Sequence, residues 1–448
     1  YVFNRIEDND SHNLLDGKGI YGQGSWAASL RYHNETFYVC FTSNDMEQFY
    51  IYQTKDIESG QWNRSIIEGR YHDPSLLFDG NRVFVIYGNG DIYISELTED
   101  VTALKPSGCH QLLLVTDKDG IGLRCEGCHA YKINGWYYLL FIEWPNEGNQ
   151  RRRQICYRSK QLFGEYKRKV IFDDDMGYFN QGIAQGALFN TPSDEWYAML
   201  FQDHGAVGRI PYVLPVTWDD DWPMVGINDK APRELEVNLP GSSKTPLVVS
   251  DDFNYKENRL ALNWQWNHNP DDHLWSVTDR PGYLRLVTGN RTNCVLYARN
   301  TLTQRTEGPA CSATTMMDIS KMKVGDHAGL VALQNFFGTV GVKVEENGDR
   351  YVRMCVNNGD GSEKIIEKIL INHQHIYLKI SFIFENGIDL ATFYYSQNGM
   401  EWLKIGDDLE MKYTLDHFMG YRIGLFNYAT THVGGYVDFA YLHYSKAL

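Results

Sequence analysis

The first half of this chain repeats one segment grammar four times, and that repetition constrains the fold more than any other feature. Each copy is an apolar stretch, a short polar turn and then an aromatic-rich strand. The copies open at Trp26 (Trp-Ala-Ala-Ser-Leu-Arg-Tyr-His-Asn-Glu-Thr-Phe-Tyr-Val), Asp73 (Asp-Pro-Ser-Leu-Leu-Phe-Asp-Gly-Asn-Arg-Val-Phe-Val-Ile-Tyr), Glu126 (Glu-Gly-Cys-His-Ala-Tyr-Lys-Ile-Asn-Gly-Trp-Tyr-Tyr-Leu-Leu) and Gly186 (Gly-Ala-Leu-Phe-Asn-Thr-Pro-Ser-Asp-Glu-Trp-Tyr-Ala-Met-Leu). Their opening residues stand 47, 53 and 60 positions apart. Each copy reads as a hairpin, with Asp79-Gly80 and Asn134-Gly135 supplying residues that tolerate positive φ in the turn. Four-stranded units repeating every ~40–50 residues are the pattern of β-propeller blades. An ordinary sandwich with similar hairpins explains the turns but not the regular spacing.

Composition agrees. Aromatic residues make up 14% of the chain, with 30 Tyr and 40 Gly, which favours short strands and tight turns over helices. At 448 residues the chain exceeds one ordinary core, so two domains are expected. Lys and Arg number 42 against 57 Asp and Glu, a net charge of −15. Such a surface repels phosphate backbones and anionic lipid, so neither nucleic acid nor membrane is an expected partner. No apolar run reaches membrane-spanning length, and no signal peptide remains at Tyr1. Four Asn-x-Ser/Thr triplets, at Asn9, Asn34, Asn63 and Asn290, permit a secretory origin. Cys125 and Cys128 form a CxxC, but there is no second CxxC to complete a zinc site, so a packed pair is the expectation.

After about residue 226 the grammar changes. Residues 227–250 carry three Pro and no periodicity, and read as a linker. From Asp251 onward the chain shows Trp264, Trp266 and Trp275, then alternating strands such as Tyr351-Val-Arg-Met-Cys-Val and an Asn-Gly hairpin after Phe393. Residues 251–448 therefore read as an all-β two-sheet sandwich, and residues 1–226 as the propeller.

Two repeats open on an acid: Asp73 in His-Asp-Pro-Ser-Leu and Glu126 in Cys-Glu-Gly-Cys-His. The first strand of each blade lines a propeller's axis, so these carboxylates converge from different blades. Converging carboxylates raise one another's pKa, which makes one of them a usable acid. Glycoside hydrolysis needs such an acid and a second carboxylate to activate water. Taken singly, either residue reads as well as a turn cap or a partner of a surface cation.

These ordered blocks resemble those of glycoside hydrolase family 43: a Trp-Ala-Pro-type block, an Asp-Pro-Ser block and a Glu-Gly-Pro-His block in the same order. The stretch Gln202-Asp-His-Gly-Ala-Val-Gly-Arg-Ile-Pro-Tyr-Val-Leu-Pro-Val-Thr-Trp, continuing into Asp219-Asp-Asp-Trp-Pro, is similar to a subgroup of xylosidases and arabinofuranosidases. Trp266-Asn-His-Asn-Pro and Asn300-Thr-Leu-Thr-Gln-Arg-Thr-Glu-Gly-Pro resemble the family's C-terminal concanavalin-like sandwich. The likeness spans nearly the whole chain. It implies a five-bladed propeller, of which four blades are visible in the sequence. It makes Glu126 the general acid, Asp73 the residue that tunes the acid's pKa and holds the sugar, and Arg209 the fork that reaches substrate hydroxyls. Trp26 is placed to stack on the sugar, a core position being the alternative. Gln185 stands where many relatives carry a His near a central water or cation, and His204 lies near the same site with its role open. The Pro of the first block is Ala28 here, and the Pro of the third is Cys128.

The family's general base is an Asp in the first blade, upstream of the Trp block. Asp8, Asp10 and Asp16 precede Trp26 but lack that block's strand pattern, so the first blade reads as absent or incomplete. Hydrolysis itself requires no cofactor. Sandwich modules of this kind imply a structural calcium, for which Asp252 and Asp438 are the candidates and turn acids the alternative reading. The expected activity is inverting, exo-acting release of xylose or arabinose from plant cell-wall polysaccharide by a secreted or periplasmic protein. The rival reading is a non-catalytic carbohydrate-binding relative that lacks the base.

Overall fold

The computed structural model describes residues 1–237, 245–357, 362–414 and 419–446. These divide into two compact units. Among the described residues every regular element is a strand, apart from two single-turn 3-10 segments, and no helix is long and apolar enough to cross a membrane.

The first unit holds Tyr1–Asn4, Gln23–His204 and the stretch from Arg209. It contains four antiparallel sheets of four strands, each strand pairing with its neighbour in sequence. The first sheet is β1 (Ser29–His33), β2 (Thr36–Ser43), β3 (Gln48–Thr54) and β4 (Asn63–Glu68). The second is β5 (Ser75–Asp79), β6 (Arg82–Asn89), β7 (Asp91–Leu97) and β8 (His110–Val115). The third is β9 (Ile121–Ile133), β10 (Trp136–Pro145), β11 (Arg153–Ser159) and β12 (Lys167–Phe172). The fourth is β13 (Ala184–Asn190), β14 (Trp196–Asp203), β15 (Arg209–Asp219) and β16 (Trp222–Val225). The opening strands β1, β5, β9 and β13 neighbour one another in that order, as blades around an axis do.

Apolar residues on both faces of each blade explain the stacking. One core joins blades one and two, through Cys40, Phe49, Ile51 and Ile67 against Leu76, Val83, Val85 and Leu97. A second joins blades two and three (Phe84, Ile86 and Ile94 with Leu139, Phe141 and Ile155), and a third joins blades three and four (Tyr138 and Leu140 with Ala198, Leu200 and Leu214). Sheets buried on two faces lose more apolar surface to water than a sheet with one wet face. The four repeats of the sequence are thus four blades; a fifth is not present among the described residues.

The second unit contains a seven-stranded and a nine-stranded antiparallel sheet. The first centres on Asp326–Leu333 and Arg422–Ala429, the second on Ala310–Asp318 and His375–Glu385. One large core, including Leu330, Val340, Val342, Leu378, Ile380, Phe393 and Leu425, draws residues from both sheets, as a sandwich requires.

Two features differ from the sequence reading. Residues 5–22, counted there with the propeller, belong to the second unit. Arg5 donates to the Pro270 carbonyl and pairs with Asp272, the His12 carbonyl accepts from the Asn269 N–H, and the Tyr21 hydroxyl donates to the Leu296 carbonyl at 2.7 Å. Of the segment read as a linker, 227–237 lie in the first unit and 245–250 in the second, while 238–244 lie outside the described residues.

Candidate active site

Asp73 and Glu126 come from adjacent blades and meet. Asp73 precedes β5 with φ +46, a left-handed conformation rare for a non-glycine residue, and its side chain is buried. Strain of this kind persists only where surrounding contacts fix it. Here Asp73 Oδ2 accepts the Gly127 N–H at 2.9 Å, and the carbonyl of the preceding His72 accepts the Gly88 N–H at 2.9 Å.

Glu126 sits on β9 at a bulge. Glu126 pairs with Ile142 and His129 with Leu140, so β9 carries one more residue than β10 across that interval. Gly127, at φ +69, takes up the extra residue. A bulge re-aims the neighbouring side chain, and this one turns the Glu126 carboxyl toward Asp73. A second bulge lies on β13, where Ala184 and Gly186 face Phe201 and Leu200 and Gln185 is the additional residue, at φ +68. The Gln185 side chain packs directly on Gly127: a Cβ at 127 would lie 2.7 Å from Gln185 Cγ.

His72 completes the cluster. Its Nε2 is 3.1 Å from Glu126 Oε2 and 3.4 Å from Asp73 Oδ2, and Asn89 Nδ2 donates to the same Glu126 Oε2 at 2.7 Å. Burial lowers the His72 pKa, but the Glu126 hydrogen bond and the charges of Asp73 and Glu126 outweigh it, so the net displacement is upward. Burial also pushes the Asp73 carboxyl up, and the Glu126 charge adds to this, against the opposing pull of His72, the Gly127 N–H and Arg209. His72, Asp73 and Glu126 offer polar atoms within 4.8 Å of one another, and hydrogen-bond donors already serve both carboxylates.

The other candidates fall into two groups. The half-buried Trp26 turns its ring edge-on to His72, with centroids 6.2 Å apart, which places it at the cluster and not in the core. Arg209 opens β15 with its guanidinium 4.3 Å over the Phe201 ring, Nε donating to Asp203 Oδ1 at 3.3 Å, and its charge acting on Asp73. Arg152 donates to the other Asp203 oxygen. His204 belongs to a neighbouring set: it stacks on Tyr178 at 4.0 Å, bonds Gln202 Oε1 at 2.7 Å, and burial lowers its pKa.

In the second unit Asp438 spends both oxygens on guanidinium groups, Arg285 and Arg280, while Asp252 bonds the His443 ring at 2.7 Å. Cations already neutralise Asp438, so this pair does not fit a calcium site. Cys125 and Cys128 are free, buried thiols, and burial pushes Cys125 up to about 12.

Sequence reasoning passed over His72, Asn89, Asp203 and Arg152. His72 was marked only by its place directly before Asp73, and Asn89 only by the Asn-Gly turn that ends β6.

Residues 8–223 match the family described as glycosyl hydrolases family 43, and residues 250–445 match the β-xylosidase C-terminal concanavalin A-like domain. The chain belongs to glycoside hydrolase family 43. A β-xylosidase of Formosa agariphila is 27% identical, over 99% of this chain and 81% of that protein. A non-reducing end α-L-arabinofuranosidase of Bacteroides ovatus is 30% identical, over 61% of this chain and 54% of its own length. Among solved structures, a bifunctional GH43-CE protein of Bacteroides eggerthii superposes with a TM-score of 0.93 at 43% identity, covering 100% of this family 43 chain. The chain spans 57% of that protein's length.

Proposed function

We propose that this family 43 chain carries the acid half of an inverting, exo-acting glycosidase site that releases terminal xylose or arabinose from xylan-type polysaccharide. One observation carries the reading: Glu126 and Asp73, from two blades, hold carboxylate oxygens within 4.8 Å, ringed by hydrogen-bond donors and by Trp26. Glu126 protonates the leaving oxygen. Asp73 is too near Glu126 to be its water-activating partner, because an inverting pair stands ~6.5–9.5 Å apart to admit water. Asp73 instead supplies the negative charge and hydrogen bonding that hold the acid in place. Arg209, fixed by Asp203, presents donors to sugar hydroxyls, Trp26 stacks on the ring, and Gln185 and His204 border the sugar. By the family resemblance the base is an Asp of the family's first blade, which the described residues do not include, so turnover is expected of the intact protein that carries it.

A second reading has its own support. Asp8, Asp10 and Asp16 all lie in the second unit, and the first unit's own residues upstream of Trp26 include no Asp or Glu. On that reading the chain binds xylo- or arabino-oligosaccharide without cleaving it. The two separate on 4-nitrophenyl β-D-xylopyranoside and α-L-arabinofuranoside. With the intact protein, turnover that disappears in Glu126→Ala supports the hydrolase, whereas saturable sugar binding without turnover supports the binding protein.

A further inference from the structure

The feature the acid-and-modulator scheme leaves unused is the imidazole wedged between its two carboxylates. We propose that His72 is a positioning residue for Glu126: with Asn89 it fixes Oε2 as the hydrogen-bond-accepting oxygen, and so leaves Oε1 to carry the proton that goes to the leaving group. The inference rests on Glu126 being the acid and adds which of its oxygens acts.

Donors and acceptors around Glu126 decide which oxygen acts. A carboxylate can only accept hydrogen bonds, and a neutral carboxylic acid accepts on one oxygen and donates from the other. Glu126 Oε2 lies 2.7 Å from the Asn89 amide nitrogen, which can only donate, and 3.1 Å from His72 Nε2. Asp73 Oδ2 lies 3.4 Å from the same Nε2 and already accepts the Gly127 N–H. With acceptors on two sides, Nε2 carries the hydrogen. Oε2 is then occupied by two donors and cannot hold a proton of its own without facing them. Among the described residues no donor is aimed at Oε1. The proton of neutral Glu126 therefore sits on Oε1.

His72 is itself held. Its carbonyl accepts from Gly88, and the Trp26 ring lies edge-on to the imidazole. The charged groups acting on it are Glu126 and Asp73, which favour the imidazolium, and Arg70, which opposes it. After Glu126 gives up its Oε1 proton, the Nε2–H and the Asn89 amide remain on Oε2 and stabilise the new carboxylate. The donors need not move during the step.

Two measurements test this. The first needs no activity: side-chain 15N NMR of His72 through a pH titration of the intact chain. A His72 titration displaced above the ordinary ~6.5 and moved back toward it in Glu126→Gln supports the proposal. Ordinary titration, unchanged in Glu126→Gln, overturns it. The second uses catalysis, where the assay described above finds it. His72→Phe should lower kcat on xylobiose about tenfold or more while changing kcat on an activated dinitrophenyl glycoside less than threefold, because only the former needs a well-aimed proton. His72→Gln, which restores an N–H donor, should recover most of that difference. Equal losses on both substrates with an unchanged pH profile would assign His72 a purely structural role and overturn the proposal. A wild-type intact protein inactive on every pentoside would remove the hydrolase reading, while the NMR result would still decide the placement of His72.

Discussion

Asp73 reaches from the loop before β5 to accept the backbone N–H of Gly127 at 2.9 Å, and so ties its own blade to the bulge that aims Glu126. The acid's direction is therefore set by a backbone contact next to it as much as by its own side-chain bonds.

Gly127→Ala tests that tie. Position 127 has φ +69, and a Cβ there would meet Gln185 Cγ at 2.7 Å. The left-handed backbone alone costs a side-chain-bearing residue about 1–3 kcal/mol. The variant should melt at lower temperature, and kcat should fall by more than KM changes, since the Glu126 carboxyl swings with the bulge. Thermal unfolding followed by steady-state kinetics checks both.

Asp203→Asn addresses substrate grip. Asp203 is buried and holds both Arg209 and Arg152. Removing its charge leaves two guanidinium groups without their common anion, and Arg209 loses its fixed orientation. The expected result is a rise in KM of about tenfold, the cost of ~1.4 kcal/mol of binding, with a smaller change in kcat. An unchanged KM for xylo- and arabino-substrates would remove Arg209 from the sugar site.

A third prediction concerns the sandwich. Asp326 is fully buried, and burial raises its carboxyl from 3.8 to about 6, against the opposing Lys323 N–H bond. Because the folded value lies above the unfolded one, the folded state binds the proton more tightly. Asp326 thus contributes stability that is fully present below pH ~4 and lost as pH rises through about 6. Denaturant midpoints of the wild type should therefore fall between pH 4 and 6 relative to Asp326→Asn, whose profile lacks that contribution.

The sequence carried the blades because each is a local hairpin whose turn and apolar faces lie within about fifty residues. The meeting of Asp73 and Glu126 was legible for the same reason, as both open their repeats. What escaped depends on partners distant in sequence or on single residues. The polar segment 5–22 has no periodicity, and its partners, such as Pro270, Asp272 and Leu296, lie some 250 residues away. His72 and Asn89 matter only because one bulge turns Glu126 toward them, and nothing in the hydrophobic pattern encodes that turn. The pairing of Asp252 with Asp438 failed because Arg280 and Arg285 had already taken the Asp438 carboxylate.

The central claim is that Glu126 delivers the proton to the leaving oxygen. It is tested most directly by comparing Glu126→Gln with the wild type on xylobiose and on dinitrophenyl β-D-xyloside. The account predicts that cleavage of xylobiose falls by a factor of about 10²–10⁴ while the dinitrophenyl substrate keeps much of its rate, since that leaving group departs without protonation. Equal losses on both substrates, or no loss on xylobiose, would contradict it.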